Sequence, residues 1–227
     1  MNKTASKECL FQTVNLQKFY PQTQSFALRD VNLTISEGEF VGIRGPSGSG
    51  KSTLLYLLSG LLTPSSGEIY FRGKPLENIK NKALYRRKNI GFVFQDFYLY
   101  PGFSVLENVL LPCLHKFFIP ASLIKKAQAL LEYLHIAGKK DLPVETLSAG
   151  ERQRVCISRA LLCEPRCILA DEPTGNLDSE NSRNILGLLQ KINDERKTAV
   201  ILVTHDDKIS SFAHRIVHIV DGTLKAG

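Results

Sequence analysis

The sequence predicts an α/β fold with a mainly parallel core sheet, an N-terminal antiparallel β portion and an inserted α-helical part. Two observations predict it. The runs Glu39 to Arg44, Cys167 to Ala170 and Ala199 to Val203 are short and almost continuously apolar, as strands buried on both faces are. They alternate with helical stretches, the order that sets helices on both faces of a parallel sheet.

Along the chain, Val31, Leu33 and Ile35 alternate with polar residues, the period of a half-buried strand. Ser36-Glu37-Gly38 turns into the Glu39 to Arg44 strand. A helix is predicted over Thr53 to Leu62, and strands over Glu68 to Arg72 and Asn89 to Gln95. From Pro101 to Asp141 the pattern is helical. Leu123, Ala127, Leu130, Leu131 and Leu134 share one face, and Gly138 is the expected stop. Ser148 to Leu162 reads as a helix, Cys167 to Ala170 as a buried strand, and Ser179 to Asn193 as a further helix. Ala199 to Val203 is the second buried strand after the insertion. Arg215 to Val220 is the last, turning at Asp221-Gly222.

Composition excludes several classes. With 227 residues, 43% hydrophobic and 22% charged, the chain is neither disordered, collagen-like nor a heptad rod. No apolar run approaches the roughly 18 residues of a membrane span. Met1 to Leu10 is polar and lacks a signal-peptide core, so the chain is expected to stay in the cytoplasm. The net charge of +7 suits anionic partners such as nucleotide, nucleic acid or acidic lipid, and a solvated basic surface explains it equally well. Cys9, Cys113, Cys156, Cys163 and Cys167 are odd in number and lack framework spacing, which fits reduced thiols. Cys163, Cys167, His214 and His218 are imaginable zinc ligands. A zinc site needs about four convergent donors, and core packing is the better account of the two cysteines.

Chemistry enters at Gly45-Pro46-Ser47-Gly48-Ser49-Gly50-Lys51-Ser52, which fits the P-loop pattern G-x-x-x-x-G-K-[ST] and is followed by Thr53. It lies between a buried strand and an apolar helix, as the mechanism requires. Glycines let backbone N–H groups curl around phosphate oxygens, and the helix N-terminus adds partial positive charge. Lys51 would neutralise the β- and γ-phosphates of a nucleotide, and Ser52 would ligate Mg²⁺. The metal also needs a carboxylate at a neighbouring strand end. Asp171 supplies it after Cys167 to Ala170, and the adjacent Glu172 is the candidate base for the attacking water. Ser148-Ala149-Gly150-Glu151 is a capping box and, through Ser148 and Gly150, also a second anion site.

The P-loop, Gln95, Leu147 to Arg154, Asp171-Glu172, Asn176-Leu177-Asp178 and His205 occur in the order of an ABC-transporter ATPase subunit, which the chain resembles over nearly its whole length. The resemblance implies one cassette over residues 1–227, with a RecA-like core at about 1–95 and 165–227 and a helical subdomain at about 96–164. It implies an ATP-bound head-to-tail homodimer in which the signature of one copy closes on the P-loop of the other. Tyr20 would then stack on adenine, Gln95 would link the γ-phosphate and Mg²⁺ to the helical subdomain, Asp178 would bridge subunits, and His205 would contact the γ-phosphate. Ala149 stands where the family has glycine; its methyl is tolerated there if its φ is negative.

Ile90 to Gln95, Leu106 to Val109 and Ala170 to Asp178 resemble the branch that serves lipoprotein release, macrolide export, cell-division control and antimicrobial-peptide export. Leu111-Pro112 and the short chain resemble the lipoprotein-release members most. The membrane subunits would be separate chains, holding this one at the cytoplasmic face of the inner membrane. The segment Phe97 to Leu111 reads equally as their docking site or as the helical subdomain's own core. No nucleic acid is expected. A soluble kinase would not need Ser148 to Glu151, and a nucleic-acid ATPase of this family would carry a coiled-coil insertion or a second cassette.

Overall fold

The computed structural model describes residues 8–114 and 119–225. Residues 1–7 of the polar N-terminal run and 115–118 of the helical stretch lie outside it. The chain runs β1 (Cys9–Tyr20), β2 (Ser25–Ser36), β3 (Phe40–Arg44), α1 (Lys51–Leu58), β4 (Ser66–Phe71), β5 (Lys74–Pro75), α2 (Lys82–Asn89) and β6 (Ile90–Phe94). It continues through α3 (Val105–Leu110), α4 (Ala121–Tyr133), α5 (Ala149–Leu161), β7 (Cys167–Asp171), α6 (Ser179–Arg196), β8 (Ala199–Thr204), β9 (Arg215–Val220) and β10 (Thr223–Lys225). One sheet is antiparallel, ordered β2-β1-β4-β5; the other is ordered β10-β9-β3-β8-β7-β6 and is parallel except at β10. Among the described residues, no helix is long and apolar enough to cross a membrane.

The larger sheet separates two apolar cores, which is why β7 and β8 are apolar at every position. Cys167 and Leu169 of β7, with Ala199, Ile201 and Val203 of β8, face α1 and the antiparallel sheet. Ile168 and Ala170, with Val200 and Leu202, face α3 to α6. The parallel register places the C-terminal ends of β3, β7 and β8 together, Arg44 beside Thr204 and Asp171 beside Val203. In sheets of this kind, that edge receives ligands.

Several elements differ from expectation. β1 has no clean alternation because a bulge interrupts it. Thr13 pairs with Leu33 and Leu16 with Val31, so β1 carries one extra residue there, and Asn15 takes φ +46°. The buried Thr13 hydroxyl bridges the irregularity, donating to Val31 O at 2.8 Å and accepting from Leu33 N at 2.9 Å. The helix expected over Thr53 to Leu62 starts at Lys51 and ends at Leu58. Gly60, at φ +69°, donates to Leu57 O (3.0 Å) while Leu61 N donates to Tyr56 O (2.9 Å), a Schellman stop.

Gly138 does not end α4; it lies in a separate single turn of 3-10 helix, Ala137–Lys139. The stop is His135 at φ +57°, with His135 N donating to Glu132 O (2.9 Å) and Ile136 N to Leu131 O (2.8 Å). Buried Ile136 closes this second Schellman motif over the α4 core and outweighs the conformational cost at His135. Since His135 is exposed, His135→Gly removes strain and no packing. It is expected to stabilise the fold by about 0.5–1 kcal/mol, raising the midpoint of thermal unfolding by about 1–4 °C. A lower midpoint in a calorimetric scan would show that the imidazole makes a contact worth more than the strain.

Candidate functional site

β3 delivers the chain at Arg44 into the loop 45–50, and α1 leaves it with its N-terminus facing the sheet edge. Gly50 caps α1 in the left-handed region, φ +101°. Lys51, largely buried, turns back so that Nζ donates to Gly45 O and Pro46 O at 2.8 Å each. The ammonium therefore sits across the loop, where the helix dipole and loop amides also favour negative charge. Ser49 is buried beneath the loop, its carbonyl accepting from Gly222 N at 3.2 Å.

Beside the loop lies a cleft of about 730 Å³. From the loop and α1 it receives Ser47, Gly48, Gly50, Lys51, Ser52, Thr53 and Tyr56. From the ends of β6, β7 and β8 come Gln95, Asp171, Glu172 and His205. Ser52 Oγ donates to Asp171 Oδ1 at 2.8 Å, and Tyr56 OH donates to Oδ2 at 3.2 Å. Burial pushes the Asp171 carboxyl above its usual range, and the hydrogen bonds from Ser52 and Tyr56 oppose that. Burial, then the charge of Asp171, pushes the Tyr56 phenol up to about 12, so it remains a donor.

A hydroxyl and a carboxylate this close, opening onto a cleft with room for water and phosphate oxygens, are a hard-oxygen donor set. They fit Mg²⁺, which takes one or two protein oxygens and keeps several waters. Glu172 follows with φ +45°, its N–H donating to Val203 O at 3.0 Å. His205 Nδ1 lies 3.1 Å from Glu172 Oε1, while Oε2 is buried and has no hydrogen-bond partner. Glu172 thus lines the cleft with a carboxylate whose Oε2 is enclosed by protein in this conformation. Gln95 lines the cleft from the end of β6, its backbone carbonyl accepting from Asn176 Nδ2 at 2.8 Å.

Other expected site residues stand outside this cleft. Gly45 and Pro46 contribute only their carbonyls to Lys51, and Ser49 is beneath the loop. Tyr20 is the last residue of β1, opposite Ser25 and so close to Ala27 of the cleft wall; the ammonium of Lys18 lies 5.4 Å over its ring. Ser148 caps α5 in a full capping box: its hydroxyl accepts from Glu151 N at 3.4 Å and its N–H donates to Glu151 Oε2 at 3.0 Å. Lys139 at 2.5 Å holds the Glu151 carboxyl below its usual range. Ala149 is the first residue of α5 and is not among the positive-φ residues, so its methyl is sterically ordinary. Asp178 caps α6, accepting from Glu180 N (3.0 Å), Asn181 N (2.9 Å) and Asn181 Nδ2 (2.6 Å). Those hydrogen bonds, the Asn181 backbone foremost, hold its carboxyl low.

Motif reading passed over Tyr56, Phe94, Asp96, Tyr98 and Ala27 in the cleft wall. Tyr56 was the legible one. It lies four residues after Ser52 on the same helix, the spacing that sets two side chains on one face.

Comparison with known proteins agrees with this arrangement. A family model described as ABC transporter matches residues 28–175. The lipoprotein-releasing system ATP-binding protein LolD of Francisella tularensis subsp. tularensis (strain FSC 198) is 44% identical over 216 residues, 93% of this chain and 94% of that protein. The dimeric post-hydrolysis structure of the ATP-binding cassette MJ0796 bound to ADP and Pi is similar, with TM-score 0.86 and 39% identity. It covers 96% of this chain and 97% of its own. So is cbiO1 of Clostridium perfringens, part of the ABC transporter complex cbiONQ, with TM-score 0.88 and 31% identity over 97% of this chain and 88% of that one. P-loop, strand-end acids and signature helix therefore occur in one chain because the chain belongs to the ABC transporter family, as one of its ATP-binding cassettes.

Proposed function

We propose that the chain is the ATP-hydrolysing subunit of a lipoprotein-release transporter, closing as an ATP-bound homodimer and so moving separate membrane subunits. The observation that carries the hydrolytic part is the pairing of Ser52 with Asp171 and of His205 with Glu172 on one cleft beside the phosphate loop. The named cargo rests on the relatives described as lipoprotein-releasing ATP-binding proteins. The cassette divides, on this reading, into a core at about 1–95 and 165–227 and a helical subdomain at about 96–164.

Lys51 and the loop amides hold the β- and γ-phosphates. Ser52, Asp171 and Gln95 would hold the metal, and Mg²⁺ bound there would neutralise charge on the phosphate oxygens. Glu172 accepts the proton of the attacking water, and His205 orients its carboxylate through Oε1 while reaching the γ-phosphate. Tyr20 takes the base at the rim. Ser148, Gly150 and Asp178 lie outside their own chain's cleft, and a twofold partner brings them to it.

The segment Phe97 to Leu111 divides between its two readings. Val105, Val109 and Leu110 are buried in the helical core, whereas Tyr98 and Tyr100 are 62% and 61% exposed. Tyr98 also borders a groove of about 500 Å³ lined by Leu61, Phe92, Phe94 and Pro112 and edged by Arg86, Arg87 and Arg159. The membrane subunit docks there. Membrane fractionation tests the reading: in cells lacking the cognate membrane subunits, the chain is expected in the soluble fraction. Membrane association that persists without them, released by salt, would instead favour lipid binding by the basic surface.

A further inference from the structure

Phe97 and Tyr98 are consecutive residues in the left-handed region, at φ +53° and +46°. A β-carbon disfavours that conformation, and two bulky neighbours there persist only where the surroundings impose it. The surroundings are on α5. Arg159 Nη2 donates to Phe97 O at 2.7 Å and Nη1 donates to Tyr98 O at 2.6 Å. Cys156 Sγ, one turn earlier, donates to Phe97 O at 3.1 Å. Burial pushes that thiol up to about 12, which keeps its proton in place. The turn is also tied from within, Tyr98 N donating to Asp96 O. Arg159 makes no ion pair among the described residues, so its charge is spent on these two carbonyls.

The clamped turn begins two residues after Gln95, and its Tyr98 ring forms, with Phe94, a wall between two cavities. Phe94 and Tyr98, packed edge to face at 5.1 Å, line both the nucleotide cleft and the apolar groove. We infer that Arg159 is a positioning residue for hydrolysis: by holding Phe97 and Tyr98 in their disfavoured conformation, it fixes where Gln95 and the Tyr98 ring meet the nucleotide. This rests on the proposed role of Gln95 toward the metal and γ-phosphate. A fork of guanidinium N–H groups can hold two carbonyls at once, which one ammonium cannot match.

The test uses the full chain carrying Arg159→Ala, Arg159→Lys or Gln95→Ala. Amide hydrogen exchange is read by mass spectrometry, alongside steady-state hydrolysis of MgATP. For Arg159→Ala, exchange over 96–100 is expected to rise about tenfold or more while the α5 amides keep their protection. Its kcat is expected to fall about tenfold with KM for MgATP within about twofold, since the binding groups on the loop are untouched. Arg159→Lys, which keeps a donor, should lie between Arg159→Ala and wild type. Unchanged exchange over 96–100, or a parallel rise throughout α5, overturns the inference by showing no clamp or merely a structural one. A loosened turn with wild-type kcat also overturns it. If kcat falls in Arg159→Ala and not in Gln95→Ala, the clamp stands, acting through Tyr98, and the role given to Gln95 is what fails.

Discussion

Glu172→Gln is expected to bind ATP, accumulate as a dimer and hydrolyse about 10²–10⁴-fold more slowly than wild type. The groups proposed to hold the ground state survive: Lys51 and the loop amides for phosphate, Ser52 and Asp171 for the metal. What disappears is the carboxylate base of Glu172, replaced by an amide that cannot take a proton. The amide oxygen can still face His205 Nδ1, now 3.1 Å from Oε1, so the local geometry persists. Removing one negative charge beside the γ-phosphate at each of two sites also favours closure of the dimer. Light scattering with and without MgATP, together with phosphate release, measures both effects. Hydrolysis within about tenfold of wild type would remove Glu172 as the base. A monomer at saturating MgATP would count against a site shared between Ser148 and the phosphate loop of another copy.

Gly50→Ala is expected to abolish useful nucleotide affinity, and Gly48→Ala to weaken it far less. Both glycines have positive φ, +101° and +78°. A β-carbon at Gly50 would lie 2.2 Å from the Ala27 carbonyl oxygen and 2.8 Å from Leu28 Cδ2, whereas one at Gly48 meets nothing within 4 Å. Gly48→Ala carries only the left-handed cost, about 1–2 kcal/mol. Gly50→Ala adds a collision with backbone, which only movement of β2 or of the loop can relieve. Together these cost about 2–4 kcal/mol, or about 30- to 700-fold in the population presenting the loop correctly. Because the chain contains no Trp, a fluorescent ATP analogue gives a binding signal without tryptophan background. Affinity of Gly50→Ala within about threefold of wild type would mean that the phosphates rest elsewhere.

How far the site was legible follows from how local its physics is. The phosphate loop is contiguous, so its spacing alone announces strand, turn and helix. The acids were legible because β7 is buried on both faces and its apolar run points to its own end. Ser148 was legible as a cap, since a cap bonds N–H groups two or three residues away, whereas Asp178 was read as a bridge between subunits and not as the cap of α6. Tyr56 was missed because the oxygen it meets, on Asp171, belongs to a strand 115 residues along the chain. β1 was missed because its bulge hides the alternation that marks a strand. α2 was missed because only Tyr85 anchors it. The end of α4 was misplaced because a glycine is the usual left-handed residue, and here buried Ile136 imposes that conformation on His135.

By itself, the sequence determined the α/β class, the strand-end location of the acids, the phosphate loop and the family, all of which depend on period, contiguity or motif order. Tertiary structure alone decided which oxygens meet: that Ser52 and Tyr56 share Asp171, that His205 faces Glu172, and that Ser148 and Asp178 lie off their own chain's cleft. It also decided that Arg159 holds Phe97 and Tyr98. The division has a physical cause. Local patterns are set by backbone geometry over a few residues, whereas hydrogen-bond partners depend on how strands in parallel register carry distant segments to one edge of the sheet.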